Sequence, residues 1–185
     1  IDLVQTAVAL YKQSFDPIYG GFGEAPKFPV PHNLLFLLDY FNATEDKKCL
    51  DMVETTLLQM YKGGIFDHIG YGFSRYSTDK FFLVPHFEKM LYDNALLLLS
   101  YSKIYYHTHK TIYKDIAYKT ADYLIRELMN PEGAFFCAQD ADSDGVEGKY
   151  YVFDYDEIIN ILGIEKGQSF NEYYGITKNG NFEGK

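Results

Sequence analysis

Leu3, Ala7 and Leu10 recur at helical spacing with Ser14 on the same line, predicting a first helix. It stops near Asp16 and Pro17, where a proline ring cannot continue the helical hydrogen bonds. A second helix opens after Pro31, whose fixed φ suits a first turn, and runs through HNLLFLLDYF. The polar link NATEDK joins it to a third, in which Leu50, Val53, Leu57 and Tyr61 share a face and Gly63-Gly64 closes the run. These two make an antiparallel hairpin. From Glu88 to Tyr106 the chain is apolar on nearly every face, which predicts a helix surrounded by other protein. From Ile112 to Met129, by contrast, Ala117, Ala121, Leu124 and Leu128 form one stripe while Lys114, Asp115, Lys119, Asp122 and Arg126 face water. An enclosed helix followed by an amphipathic one suits an inner and an outer ring. Tyr155 to Leu162 predicts a shorter helix, and the tail from Gly163 is weakly patterned.

The connections carry as much information as the helices. Three loops of about 15 to 27 residues greatly exceed the usual median of roughly 4 to 6, and loops of that length tend to be functional or disordered. Their aromatic content argues against disorder. They open alike, with GGFGEAPKFP, GGIFDHIGYGFSRYS and EGAFFCAQDADSDG, so helix pair, glycine, aromatic and long loop form a recurring unit. The pattern predicts helical hairpins whose elaborated loops fall at one end.

Composition narrows the functions available to such a fold. With 17 Lys plus Arg against 26 Asp plus Glu, the net charge of -9 argues against nucleic acid and anionic membrane as partners. No apolar run approaches the roughly 20 residues that span a bilayer, so a soluble, cytoplasmic protein is expected. The sequence opens at Ile1 inside a helical pattern, and a natural start further upstream is expected. The 18 Tyr and 15 Phe, with no Trp, supply rings suited to helix packing and to sugar stacking alike. Cys49 and Cys137 are too few for a disulfide framework or a zinc ribbon and read as buried or neutral thiols.

Candidate chemistry concentrates in the loops. In VPHFEKMLYDNALL, Pro85 favours extended backbone before it, so the helix is expected to begin within His86 to Glu88. Glu88 then gains from the helix dipole. Lys89 and Asp93, four apart, could pair locally, and Asn94 follows. This cluster either faces a ligand or locks the loops by hydrogen bonds. FDHIGYGFSRY adds Asp67, His68, Arg75 and Tyr76; His68 and His86 suit proton transfer at neutral pH, and Arg75 could hold a carboxylate of the protein or of a ligand. In DADSDG, Asp140, Asp142, Asp144 and Gly145 match the first positions of an EF-hand, but Tyr151 stands where its glutamate belongs. That stretch reads as an Asx-rich turn into a strand-like KYYVF, and no metal or cofactor is expected. Asp140 and Asp142 are candidate partners for Glu88, because glycoside cleavage uses paired carboxyls about 5 or about 6.5 to 9.5 Å apart.

Taken together, GGFGEAPKFPVP, GGIFDHIGYGFSRYSTDKFFLVPHFEKMLYDNALL and QDADSDGVEGKYYVF resemble the YyaL-like, or spermatogenesis-associated protein 20, family across Tyr19 to Phe153. The resemblance implies an (α/α)6 toroid related to the six-hairpin glycosidases and the N-acylglucosamine 2-epimerases, of which this all-α chain would supply about half. It also implies a thioredoxin-like domain preceding the toroid, which this chain, lacking any C-x-x-C, does not contain. Tyr71 stands where the family usually has glycine, Phe81-Phe82 where a pair usually includes Trp, and Cys137 where a small residue is usual. The expected function is general acid/base chemistry on a carbohydrate or small polar ligand. Glu88, His86, His68, Asp140 and Asp142 are its catalytic candidates; Asp67, Arg75, Tyr76, Lys89, Asp93 and Asn94 are the binding ones. Epimerisation would need a base such as His68 or His86 beside a carbonyl, and hydrolysis would need two carboxyls. The alternative is a non-catalytic binding or scaffolding module serving the thioredoxin-like domain.

Overall fold

Asp2 begins the architecture as an N-cap, its carboxylate accepting from the backbone N–H groups of Val4 and Gln5 at the start of α1 (Leu3–Ser14). The computed structural model describes residues 2–181. The second helix, α2 (Pro31–Thr44), opens on its proline, and α3 (Lys47–Lys62) is capped by Asp46, which also pairs with Lys12 of α1. The fourth, α4 (Leu91–Thr108), and α5 (Thr111–Tyr123) follow. The fifth expected helix does not keep one winding, for α5 passes into a π-helical segment at Leu124–Leu128. Helix accounts for 54% of the described residues and their strands are two-residue pairs, so the fold is all-α.

The chain divides into two units, Ile1–Ala141 and Asp142–Lys185. In the first, Leu34, Leu37 and Leu38 of α2, Met52, Val53 and Leu57 of α3 and Leu97, Tyr101 and Ile104 of α4 meet in one core. Phe66, Phe73 and Phe82 join it from the long loop. That loop is therefore held for the reason helices are, by burying apolar rings. Close approach explains the Gly-Gly pair, because a Cβ on Gly63 or Gly64 would sit 2.0 Å from the carbonyl oxygen of Phe82 or Leu83.

The start of α4 departs from the sequence expectation. Residues 85 to 90 are extended: Pro85–His86 (β2) pairs antiparallel with Tyr76–Ser77 (β1), and Lys89–Met90 (β3) pairs with Ala138–Gln139 (β4). Backbone partners from distant loops replace a helical first turn, with Arg75 N–H donating to Glu88 C=O and Leu91 N–H to Cys137 C=O. Nor is α4 enclosed on every side by the described residues. It buries Asn94, Leu97, Tyr101 and Ile104, but Tyr92, Leu99 and Tyr106 are exposed.

The second unit holds a hairpin, Asp142–Ser143 (β5) against Val146–Glu147 (β6), turned by Asp144 and Gly145 at φ 52 and 73. Those left-handed values are what a two-residue hairpin turn requires. The stretch expected to be a strand at KYYVF is turn and irregular backbone instead. Helices α6 (Tyr155–Leu162) and α7 (Ile164–Tyr174) complete the unit, the latter within the tail whose pattern was weak.

Candidate functional site

The loops of the first unit converge through buried polar contacts. Lys27 is buried, its Nζ donating to Asp16 at 2.8 Å and to the Lys80 carbonyl at 2.9 Å, while its backbone pairs with Ser77. Two neighbouring constellations are built on that base.

The first is a lock. Asp67 accepts from Ile69 and Gly70 N–H at 2.9 and 2.8 Å and from Lys89 Nζ at 2.8 Å. Lys89 Nζ also donates to the Tyr71 carbonyl at 2.7 Å and lies 4.8 Å from the Tyr123 ring centre. Burial pushes the Asp67 carboxyl up, but the Lys89 hydrogen bond, its charge and the two backbone donors hold it below its ordinary value. Burial draws the Lys89 ammonium down, against the pull of Asp67. Asn94, fully buried, accepts from Phe73 N–H at 2.7 Å and donates to the carbonyls of Phe73 and Met90, both at 2.9 Å. Every one of these Asn94 bonds goes to backbone. The expected local Lys89–Asp93 pair does not form: Lys89 lies in a strand, where the helical four-residue spacing has no meaning, and it reaches Asp67 instead.

The second constellation leaves side-chain groups uncommitted. Arg75 Nη1 donates to Glu88 Oε2 at 2.9 Å, and this bond and charge raise the guanidinium above its ordinary value. The same carboxylate oxygen lies 3.8 Å from His86 Nε2. The His86 ring stacks on Tyr76 at 4.9 Å and 17°, a consequence of their being cross-strand partners, and Phe28 meets Tyr76 at 4.9 Å. Asp93, in the first turn of α4, is 7% exposed and has no hydrogen-bond partner among the described residues. Burial pushes its carboxyl up to about 6, with Arg75 pulling the other way and Glu88 adding to the rise.

The remaining catalytic candidates are His68, Asp140 and Asp142. His68 is exposed and rests on the rings of Tyr61 and Phe66, at 5.2 and 5.1 Å. Asp140 is exposed just after β4, and Asp142 opens β5 of the second unit. Asp93 is a carboxyl that feels the charge of Glu88. Phe28 and Tyr92 were missed; the former is one more aromatic in the GGFGEAPKFP loop, and the latter, beside Arg75, sits in a helix that hid it among apolar residues. Among the described residues no three of His, Cys, Asp and Glu are grouped to hold a metal ion, and no helix is long and apolar enough to cross a membrane.

The architecture defines the class. A cellobiose 2-epimerase from Bacillus thermoamylovorans superposes with a TM-score of 0.65 at 12% identity, covering 90% of this chain and 52% of that one. A family 76 α-mannanase from Bacteroides thetaiotaomicron gives 0.63 at 18% identity, covering 92% and 52%. These are (α/α)6 toroid enzymes, and the chain has that fold. No family model matches it. Over 188 residues it is 40% identical to human spermatogenesis-associated protein 20, covering 91% of the chain and 24% of that protein. An uncharacterized Caenorhabditis elegans protein is 37% identical over 190 residues, covering 92% and 26%. The chain belongs to the spermatogenesis-associated protein 20 family and spans about a quarter of the length of these relatives.

Proposed function

We propose that the loop end of the first unit is one wall of a cavity in which a carbohydrate or related small polar molecule undergoes general acid/base chemistry. The observation that carries this reading is the Arg75–Glu88–His86 chain, with its 2.9 and 3.8 Å separations, beside a ring stack and a buried carboxyl. Arg75 holds Glu88 in place, Glu88 orients His86, and the imidazole takes or returns a proton at a carbon or hydroxyl of the ligand. Tyr76 and Phe28 offer aromatic surface to a sugar ring. Similarity to structures named as an epimerase and a mannanase supports the substrate class by analogy of fold. His86 as base fits epimerisation beside a carbonyl, whereas hydrolysis would draw on Glu88 with Asp93. His68 and Asp140 are further acid/base candidates of the first unit, and Asp142 is that of the second. The chain is proposed as part of a toroid whose remainder, with a thioredoxin-like domain, lies in the rest of the full-length protein.

A second reading is favoured by the Asp67–Lys89–Asn94 lock, which spends half of the polar cluster on structure: a non-catalytic module serving that thioredoxin-like domain. Glu88→Gln and His86→Ala in the full-length protein separate the two. Under the catalytic reading, sugar turnover falls about 100-fold or more while the melting temperature stays within roughly 3 °C. A fall in melting temperature, with no sugar turned over by the parent protein, supports the module.

A further inference from the structure

Two buried polar groups in the first unit lack a hydrogen-bond partner among the described residues, and they feel each other's charge. One is the Asp93 carboxyl. The other is Arg75 Nε, buried and unpaired although Nη1 of the same guanidinium serves Glu88. Burying a donor and an acceptor is unfavourable unless each finds a hydrogen-bond partner. A hydroxyl meets both, accepting from the Nε–H and donating to the carboxyl oxygen.

We infer that Asp93 and Arg75 Nε form the floor of a subsite for the hydroxyl groups of a neutral polyol, with the Tyr76–His86 stack as aromatic surface at its side. This deepens the functional reading above and rests on it for the substrate class. Charge sets the preference for a neutral ligand. The Arg75 guanidinium is already paired with Glu88, and Asp93 is a second acid, so an acidic or phosphorylated sugar would bring a further negative charge to a pair of carboxyls. Lys89, the nearest buried ammonium in sequence, is committed to Asp67 and the Tyr71 carbonyl.

Saturation-transfer NMR on the full-length protein tests this directly, with D-mannose and cellobiose as neutral probes and mannose 6-phosphate and glucuronate as acidic ones. The neutral sugars are expected to bind, and Asp93→Ala and Arg75→Lys each to weaken that binding about 10-fold or more, the cost of one charge-assisted hydrogen bond. Asp93→Asn, matched in shape, covers an Ala variant that fails to fold and is expected to weaken binding in the same direction. Unchanged affinity in the folded variants, tighter binding of the acidic sugars, or no binding of either neutral sugar overturns the subsite. The two proposals fail separately. Neutral-sugar binding that depends on Asp93 without any turnover sustains the subsite and removes the catalytic reading. Turnover and binding that both survive Asp93→Ala unchanged do the reverse.

Discussion

Asp93→Asn is the substitution whose effect the geometry fixes most closely. An aspartate of ordinary value 3.8 is pushed up to about 6 by burial in the first turn of α4. A difference of about two pH units corresponds, at 1.36 kcal/mol per unit, to roughly 3 kcal/mol between the charged and neutral forms. Because the folded value is raised, the folded state holds the proton more tightly than the unfolded chain does. Below about pH 4 the carboxyl is neutral in both states and costs nothing. The penalty grows as pH rises toward about 6 and is then present in full. The amide never ionises, so Asp93→Asn is expected to stabilise the protein by about 1 to 3 kcal/mol at pH 8, the lower bound allowing for unmet hydrogen bonds of the amide itself. At pH 4 the two proteins should be alike or the variant slightly weaker. Urea unfolding of parent and variant at pH 4, 6 and 8 measures this difference. A gap that stays constant across the range would refute the reasoning, since it would mean Asp93 titrates alike in the folded and unfolded states.

The lock makes its own predictions. Asn94→Ala removes three hydrogen bonds to backbone and orphans buried groups of Phe73, so a loss of about 2 to 4 kcal/mol is expected in the same unfolding experiment. Lys89→Met leaves the Asp67 carboxylate half-buried without its cation and is expected to cost about 3 kcal/mol, with Asp67→Asn added to it restoring part of the loss in a double-mutant cycle.

Much of the helical framework was legible because periodicity is local information. The hairpin of α2 and α3 follows from the Leu50, Val53, Leu57 and Tyr61 face and its Gly63-Gly64 end, and α3 indeed closes at Gly63. The beginning of α4 was not legible. The PHFEKM stretch carries a proline and an acid in places that suit a helix start, but its backbone pairs with residues near 76 and near 138, and such partners cannot be seen from local pattern. The same long-range pairing moves Lys89 off the helix and away from Asp93. In α7, Gly167 breaks the apolar pattern because it packs against Ile159 of α6, where a Cβ would sit 2.9 Å away. For the candidate site, the residue types themselves were legible in the loops. Which polar side chains are consumed by the lock depended on where the backbone of Tyr71 and Phe73 passes, and that is set by the fold as a whole.

The most direct test of the central claim uses the full-length protein in deuterated water with reducing sugars and glycosides, followed by proton NMR. Acid/base chemistry at the Glu88–His86 pair predicts either deuterium entering beside the sugar carbonyl or new anomeric signals from cleavage, lost in Glu88→Gln. An unchanged spectrum for every sugar and glycoside, in protein shown to be folded, would contradict it.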